Sequence, residues 1–164
     1  MSPIAAPVKP LSAAQNPVAQ HLVEGRSNAE IAARLWVTNG TVTFHLRRIR
    51  SNLHCDPGCA HAVLSHALLQ HRLVRPPVLP PFFDSFTLST KDHLLLKAIA
   101  EHSAPANIAK AAKIAPSSRA ARTRTLIAAM RARDAAHLVG LGYTLGLLRP
   151  SQPDGAAALQ ELTS

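Results

Sequence analysis

The residues with the clearest chemistry lie in a short basic segment that follows Thr38. Arg47 follows Phe44 by three positions and Thr43 by four, so in a helix the three side chains share one face. Arginine can donate two hydrogen bonds to O6 and N7 of guanine, while threonine and phenylalanine can contact the thymine methyl group. This combination predicts recognition of base edges in duplex DNA.

Polar residues near predicted helix starts suit the phosphate backbone. Asn28 opens one predicted helix, Asn39 and Thr41 open the next, and Arg48 lies on the exposed face of the latter. Backbone N–H groups at a helix start and short polar side chains bind phosphate oxygens. We expect these four residues to position the protein on DNA.

A second group of reactive side chains occurs in the string HCDPGCAH, residues 54–61. Two Cys and two His in so short a segment raise the possibility of a metal site, but the paired spacing of structural zinc ligands is absent. The sequence also lacks a carboxylate pair, a nucleophile elbow and a phosphate-binding glycine loop. We therefore expect no metal, no cofactor and no enzymatic activity.

Capping residues and hydrophobic periodicity place the basic segment on the third helix of a unit of four short helices. Ser12 with Gln15, and Ser27 with Glu30, have the spacing of capping boxes, and Thr38 can cap a third helix. That third helix has a buried stripe at Val42, Leu46, Ile49 and Leu53. The first helix should reach Gly25 with a small kink at Pro17, the second should end near Trp36, and a fourth should cover residues 59–73. A short helix, a tight turn and a longer basic helix form a helix-turn-helix.

The composition excludes several classes of protein. The chain has 164 residues, a formal charge of +9, 47% hydrophobic but only 4% aromatic residues, and two Cys. The N-terminus has no signal-peptide pattern, and the most apolar stretch is shorter than a membrane span requires. We expect a cytoplasmic protein without a disulfide framework, whose basic charge suits nucleic acid, an anionic membrane surface or an acidic partner.

The second half of the chain repeats the first at an interval of 77 residues. Leu11, Ser12, Glu24, Ile31 and Arg47 align with Leu88, Ser89, Glu101, Ile108 and Arg124. Prolines at 76, 77, 80 and 81 separate the halves. Residues 11–74 carry a charge of +3 and residues 88–149 a charge of +7. The sequence therefore predicts an all-α protein with two tandem four-helix units.

The first half resembles a known family. The opening Leu-Ser, the stretch EGRSNAEIAARL, the turn VTNGTV and the helix HLRRI look like the DNA-binding domain of LuxR-type (FixJ/GerE-like) transcription regulators. The second half is similar but degenerate in its middle, and its end, MRARDAAHLVGLGYTLGLL, resembles the family's fourth helix. The resemblance implies four helices, with the third reading DNA and the fourth pairing two units.

Aligning the second half with the first, position by position, gives a second set of DNA-binding candidates. The resemblance places Ala120, Ala121 and Arg124 where the first half has Thr43, Phe44 and Arg47. Few base contacts are expected from alanines, so the second half should bind mainly phosphate, through Ser118, Arg119, Arg122, Arg124 and Arg131. Arg119 and Thr123 replace the buried Val42 and Leu46, which leaves open a rotation or one-residue shift of this helix.

The predicted organisation is a flexible N-terminus (1–10), a LuxR-type domain (11–74), a Pro/Phe linker (75–87), a divergent second domain (88–149) and a flexible tail (150–164). The linker either extends between successive major grooves or lets the two fourth helices pack as an intramolecular pseudo-dimer; a homodimer through those helices is a further possibility. Linker residues Phe82, Phe83 and Phe86 should cover a core rather than anchor a partner, and Trp36 should be a partly exposed packing residue in its turn rather than a stacking platform.

Together these features predict a sequence-specific, double-stranded-DNA-binding transcriptional regulator of the bacterial nucleoid that uses both domains on a bipartite site. Two alternatives remain at this point. One is an architectural DNA binder with little sequence preference, and the other is an adaptor whose second domain holds an acidic partner.

Overall fold

The chain forms a helical bundle in which short helices are connected by tight turns. The computed structural model describes residues 8–81, 83 and 87–150. In that part of the chain there are eight α-helices, one 3-10 turn and no strand. The all-α prediction is therefore confirmed for the residues described.

The first half contains α1 (Gln15–Val23), α2 (Asn28–Leu35), α3 (Asn39–Asn52) and α4 (His61–Gln70). The predicted caps are present. Before α1, the Ser12 N–H donates to Gln15 Oε1 and the Gln15 N–H donates to Ser12 Oγ. Ser27 and Glu30 form the same reciprocal pair at α2, and Thr38 accepts from the Thr41 N–H at α3. Side chains near each other in sequence thus satisfy the free N–H groups at these helix starts.

Two details of the first half differ from the sequence prediction. Pro17 is the third residue of α1, within the first turn, where a missing N–H leaves no helical hydrogen bond unmade and requires no kink. The fourth helix is also shorter than predicted, because the chain around Cys59 and beyond Gln70 is in turns rather than helix.

The second half contains α5 (Thr90–Glu101), α6 (Pro105–Ala112), a 3-10 turn (Pro116–Ser118), α7 (Arg119–Ala129) and α8 (Ala135–Thr144). Ser89 caps α5 and Asp134 caps α8, each by accepting a backbone N–H three residues on. Pro105 occupies the first position of α6, where its fixed φ favours the start of a helix.

Backbone geometry recurs between the halves. The bounds of α6 lie 77 residues after those of α2, and α7 ends 77 residues after α3. The left-handed residue Trp36 (φ 58°) is matched 77 positions later by Lys113 (φ 57°), and His54 (φ 56°) by Arg131 (φ 54°). The offset falls to 74 at α8, which begins and ends 74 residues after α4.

A single hydrophobic cluster joins the two halves. Helix α4 packs against α8, and α1 and α5 contact both of them. Leu64 and Leu68 of α4 and Leu138 and Leu141 of α8 are fully buried. The buried Ser65 hydroxyl donates to Ala136 O at 3.0 Å, and the Tyr143 hydroxyl lies 2.8 Å from His66 Nδ1, so these polar groups in the contact are paired.

Residues 75–81 lie along the packed helices. Gln20 of α1 bonds both the carbonyl and the N–H of Arg75, at 2.9 and 3.0 Å. Thr144 of α8 donates its hydroxyl to Pro77 O. Gly140 is so close to this segment that a Cβ there would lie 2.8 Å from Pro77 Cγ and 2.9 Å from Val23 O. The segment therefore fills the contact between α1 and α8. The predicted linker phenylalanines Phe82 and Phe86 lie outside the described residues, and Phe83 is partly buried.

Candidate nucleic-acid interface

Helix α3 is fixed to the core through one row of side chains. Val42, Leu46 and Ile49 are at most 1% exposed, and Leu53 continues the row. The helix also contacts α1 and α2. The predicted buried stripe is confirmed, and it leaves the opposite face of α3 free.

The exposed face of α3 carries the three predicted base-contacting residues. Thr43, Phe44 and Arg47 are all exposed. The Thr43 hydroxyl donates to Asn39 O at 3.0 Å, so the methyl group is the part of this side chain left for an outside contact. The Arg48 guanidinium lies over the Phe44 ring, 5.6 Å from its centroid, and this cation–π contact holds both side chains on the same surface.

The residues predicted to contact phosphate have different environments. Asn39 is exposed at the first position of α3. The Thr41 hydroxyl is 3.0 Å from that of Thr38, and the two stabilise the first turn together. Asn28 begins α2, but its Oδ1 is buried without a hydrogen-bond partner. A phosphate could accept from the Asn28 Nδ2 group but not from its Oδ1, whereas Asn39 is exposed on the surface at the start of α3.

Helix α7 is attached to the core less firmly than α3. Leu126 and Met130 are buried, whereas Arg119 and Thr123 are only partly buried. These four residues lie 77 positions after Val42, Leu46, Ile49 and Leu53, the buried stripe of α3. The side of α7 that faces the core is therefore the one that the repeat predicts, and the helix is neither rotated nor shifted by a residue. The Thr123 hydroxyl is buried with no partner, which costs about 1–3 kcal/mol.

The other candidates of the second half surround this helix. Ala120, Ala121, Arg122 and Arg124 are exposed on α7. Ser118 ends the 3-10 turn and makes no side-chain cap. Arg131 lies in the turn after α7, where its Nη1 donates to Pro81 O at 3.1 Å. Arg131 thus contacts the segment between the halves.

Two features of this region were missed or misjudged from sequence. Trp36 does not pack in its turn, since its side chain is 94% exposed; its left-handed backbone ends α2 and leads the chain towards α3. Arg133, at the start of the α8 region, donates to Glu30 Oε1 at 2.9 Å and so links the halves. The hydrogen bond from Ser27 N–H, reinforced by Arg133, lowers the pKa of Glu30. No local sequence signal indicates this long-range pair.

The surroundings of Cys55 and Cys59 are those of structural cysteines rather than of reactive ones. Cys59 is buried, and its carbonyl accepts a hydrogen bond from Arg50 Nη2 at 3.1 Å. Burial raises the pKa of Cys55 to about 11, which keeps it a thiol at neutral pH. Within the described ranges, no three His, Cys, Asp or Glu side chains are close enough to hold a metal ion.

The geometry of α2, its turn and α3 is that of a helix-turn-helix, and the class of protein it defines is a DNA-binding transcription regulator. Residues 9–63 match the family profile GerE, described as bacterial regulatory proteins, luxR family, so this part of the chain is similar to that family. No curated protein and no solved structure shows significant similarity to the chain. None of the described helices is long and apolar enough to cross a membrane.

Proposed function

We propose that the protein is a sequence-specific regulator that addresses a bipartite duplex site with both halves, α3 reading bases and α7 holding phosphate. The observation that supports this proposal is the recurrence of the α2–turn–α3 backbone in α6, its turn and α7, including the left-handed residues Trp36 and Lys113. A bacterial regulator of this kind would act at the nucleoid.

The two exposed faces differ in chemistry, and this difference defines the division of labour. The face of α3 offers an arginine, a threonine methyl and a phenylalanine, which are suited to base edges. The face of α7 offers Arg122 and Arg124 beside two alanines, which gives charge without side chains that reach bases. One half of the bound duplex would therefore be recognised by its base sequence, and the other half would be bound with little dependence on sequence.

The arrangement of the halves supports binding as a single chain. Leu64 and Leu68 of α4 are already covered through the contact with α8. The same surface cannot also pair a second copy unless the halves separate. We therefore propose that the intramolecular pseudo-dimer, rather than a homodimer, presents the two helices to DNA.

The experiment is footprinting of the full chain on a selected duplex, comparing the natural protein with an R122Q/R124Q double variant. We expect the natural protein to protect two adjacent major-groove segments, and the double variant to lose protection of one segment while retaining the other. Replacing Lys97, an exposed cation on α5, by Gln is the matched control.

The same experiment distinguishes the alternatives. An unchanged footprint and affinity for the double variant would show that α7 does not contact DNA and would favour the adaptor. Equal affinity for selected and random duplexes would favour an architectural binder, because sequence reading requires a specificity ratio well above one.

A further inference from the structure

A second basic surface lies away from the recognition helices. It is an open groove of about 1080 Å³ between α1, residues 72–81 and the start of α8, and we call it the junction groove. Five arginines line it, with Glu24 as the one acidic residue among its lining side chains: Arg26, Arg72, Arg75, Arg131 and Arg133.

The arginines of the junction groove are only partly neutralised. Glu24 pairs with Arg26, and Glu30 pairs with Arg133. In the part of the chain that the structure describes, the Arg72 and Arg75 side chains have no ion pair, and Arg131 contacts only the neutral Pro81 carbonyl. Three arginines that line one concavity thus have no ion pair among the described residues, which favours a positive potential there.

The backbone at two of these arginines favours a different residue. Arg72 (φ 56°) and Arg131 (φ 54°) each occupy the second position after a helix, in the left-handed conformation. The same position after α1 and α8 is taken by Gly25 and Gly146. Glycine adopts this conformation without strain, whereas an arginine does not. The arginine side chains therefore do not serve the turns themselves.

We propose that the junction groove binds a small organic phosphate carrying at least two phosphate groups, of nucleoside diphosphate size. Guanidinium forks pair with phosphate oxygens in a bidentate manner. The proline segment provides an apolar wall for the organic part, including Val78 (86% exposed) and Leu79 (38% exposed).

The position of the groove favours a small ligand over the DNA backbone. None of its lining residues belongs to α2, α3, α6 or α7, the four helices of the two helix-turn-helix units. The lining residues come from both halves and from the segment between them. A bound phosphate would therefore cross-link the halves and increase the thermal stability of the chain.

The test uses the full chain with pyrophosphate and ADP as probes, followed by calorimetric titration and thermal unfolding. R72G and R131G each remove a guanidinium and relieve backbone strain, and the relief in R131G offsets the loss of the hydrogen bond to Pro81 O, so both variants should still fold. H54G is the matched control, because His54 has the same backbone conformation after α3 and does not line the groove.

We expect one ADP per chain, a rise in midpoint temperature on ADP addition, and an affinity reduced at least about ten-fold in R72G and in R131G but not in H54G. Absence of binding, or equal binding by all four proteins, would overturn the proposal. Loss of duplex affinity and salt dependence in R72G and R131G without any ADP binding would also overturn it, and would assign the groove to DNA. The proposal does not depend on the bipartite site, since duplex binding is measured separately.

Discussion

At the scale of single residues, the proposed base-contacting face of α3 depends on Thr43, Phe44 and Arg47, and the Thr43 hydroxyl already donates within the helix. Arg47 is the one exposed side chain of the base-contacting set that can donate two hydrogen bonds to a base, because the Thr43 hydroxyl is bonded within α3 and Phe44 has no donor. Arg48 is held over Phe44. Arg47 should therefore contribute more to sequence discrimination than its neighbours.

Replacing Arg47 by alanine should cost about 1–3 kcal/mol on the best duplex and relax the preference at one base pair. Affinities for selected and random duplexes at fixed salt measure this. R34A is the control, because Arg34 is an exposed cation on α2 outside the reading face. Equal weakening of R47A on both duplexes would argue against base reading.

His137 provides a pH-dependent contribution to stability. Its Nδ1 accepts the Arg133 N–H at 3.0 Å, which requires the neutral ring, and burial lowers its pKa from the ordinary value of 6.5. Between the lowered pKa and 6.5, the His137 ring is therefore protonated in the unfolded chain and neutral in the folded chain. Stability from this group is present above pH 6.5 and is lost as pH falls from there towards the lowered pKa.

We expect H137N to reduce this pH dependence, because an amide oxygen can accept the same N–H and does not titrate. Urea unfolding of both proteins at about pH 7.5 and 5.5 measures the difference. Burial also lowers the pKa of His61 and His66, so the variant should retain part of the acid sensitivity. An unchanged pH dependence would show that His137 does not contribute.

At the scale of elements, α3 and α7 differ in how well their first turns are capped and their inward side chains are buried. Helix α3 buries three aliphatic side chains and begins with the Thr38 cap. Helix α7 begins without a side-chain cap and has Thr123 in its inward row, with a buried and unpaired hydroxyl. Because buried polar groups are costly when unpaired, α7 should be the less stable of the two.

Replacing Thr123 by valine should increase the free energy of unfolding by about 1 kcal/mol, since the shape is kept and the unpaired hydroxyl is removed. T125V is the matched control, because the exposed Thr125 hydroxyl donates to Ala121 O and gains no such relief. Denaturant midpoints of the two variants give the comparison. A loss of stability in T123V would mean that the hydroxyl has a partner in solution.

At the scale of the whole molecule, the halves are held together by close contacts between residues distant in sequence. Gly25 lies against α8, where a Cβ would be 2.7 Å from the His137 Cβ, and Gly140 lies against Pro77 and Val23. These glycines allow α1, the proline segment and α8 to meet closely. The Glu30–Arg133 pair adds little to this, since both side chains are about half exposed and solvent screens their attraction.

Replacing Gly140 by alanine should destabilise the chain by about 1–3 kcal/mol, because the added Cβ collides with Pro77 and with the Val23 carbonyl. G58A is the control, since a Cβ at Gly58 meets nothing within 4 Å. If G140A unfolds at the same denaturant concentration as the natural protein, the close packing of the halves does not persist in solution.

The local features of this protein were readable from its sequence. The caps at Ser12, Ser27 and Thr38 and the buried stripe of α3 were predicted, because each depends on hydrogen bonds or periodicity within about one to three helical turns. The similarity of residues 9–63 to the luxR family was predicted from a resemblance of sequence strings such as EGRSNAEIAARL and VTNGTV.

Tertiary structure decided what those local signals could not. The exposure of Trp36, the pairing of Glu30 with Arg133 and the covering of α4 by α8 all involve how separate segments meet in space. The junction groove likewise combines arginines that are up to 107 positions apart in the chain. Hydrophobic patterning shows that a face must be buried, but it does not specify the segment that buries it, because apolar contact is non-directional.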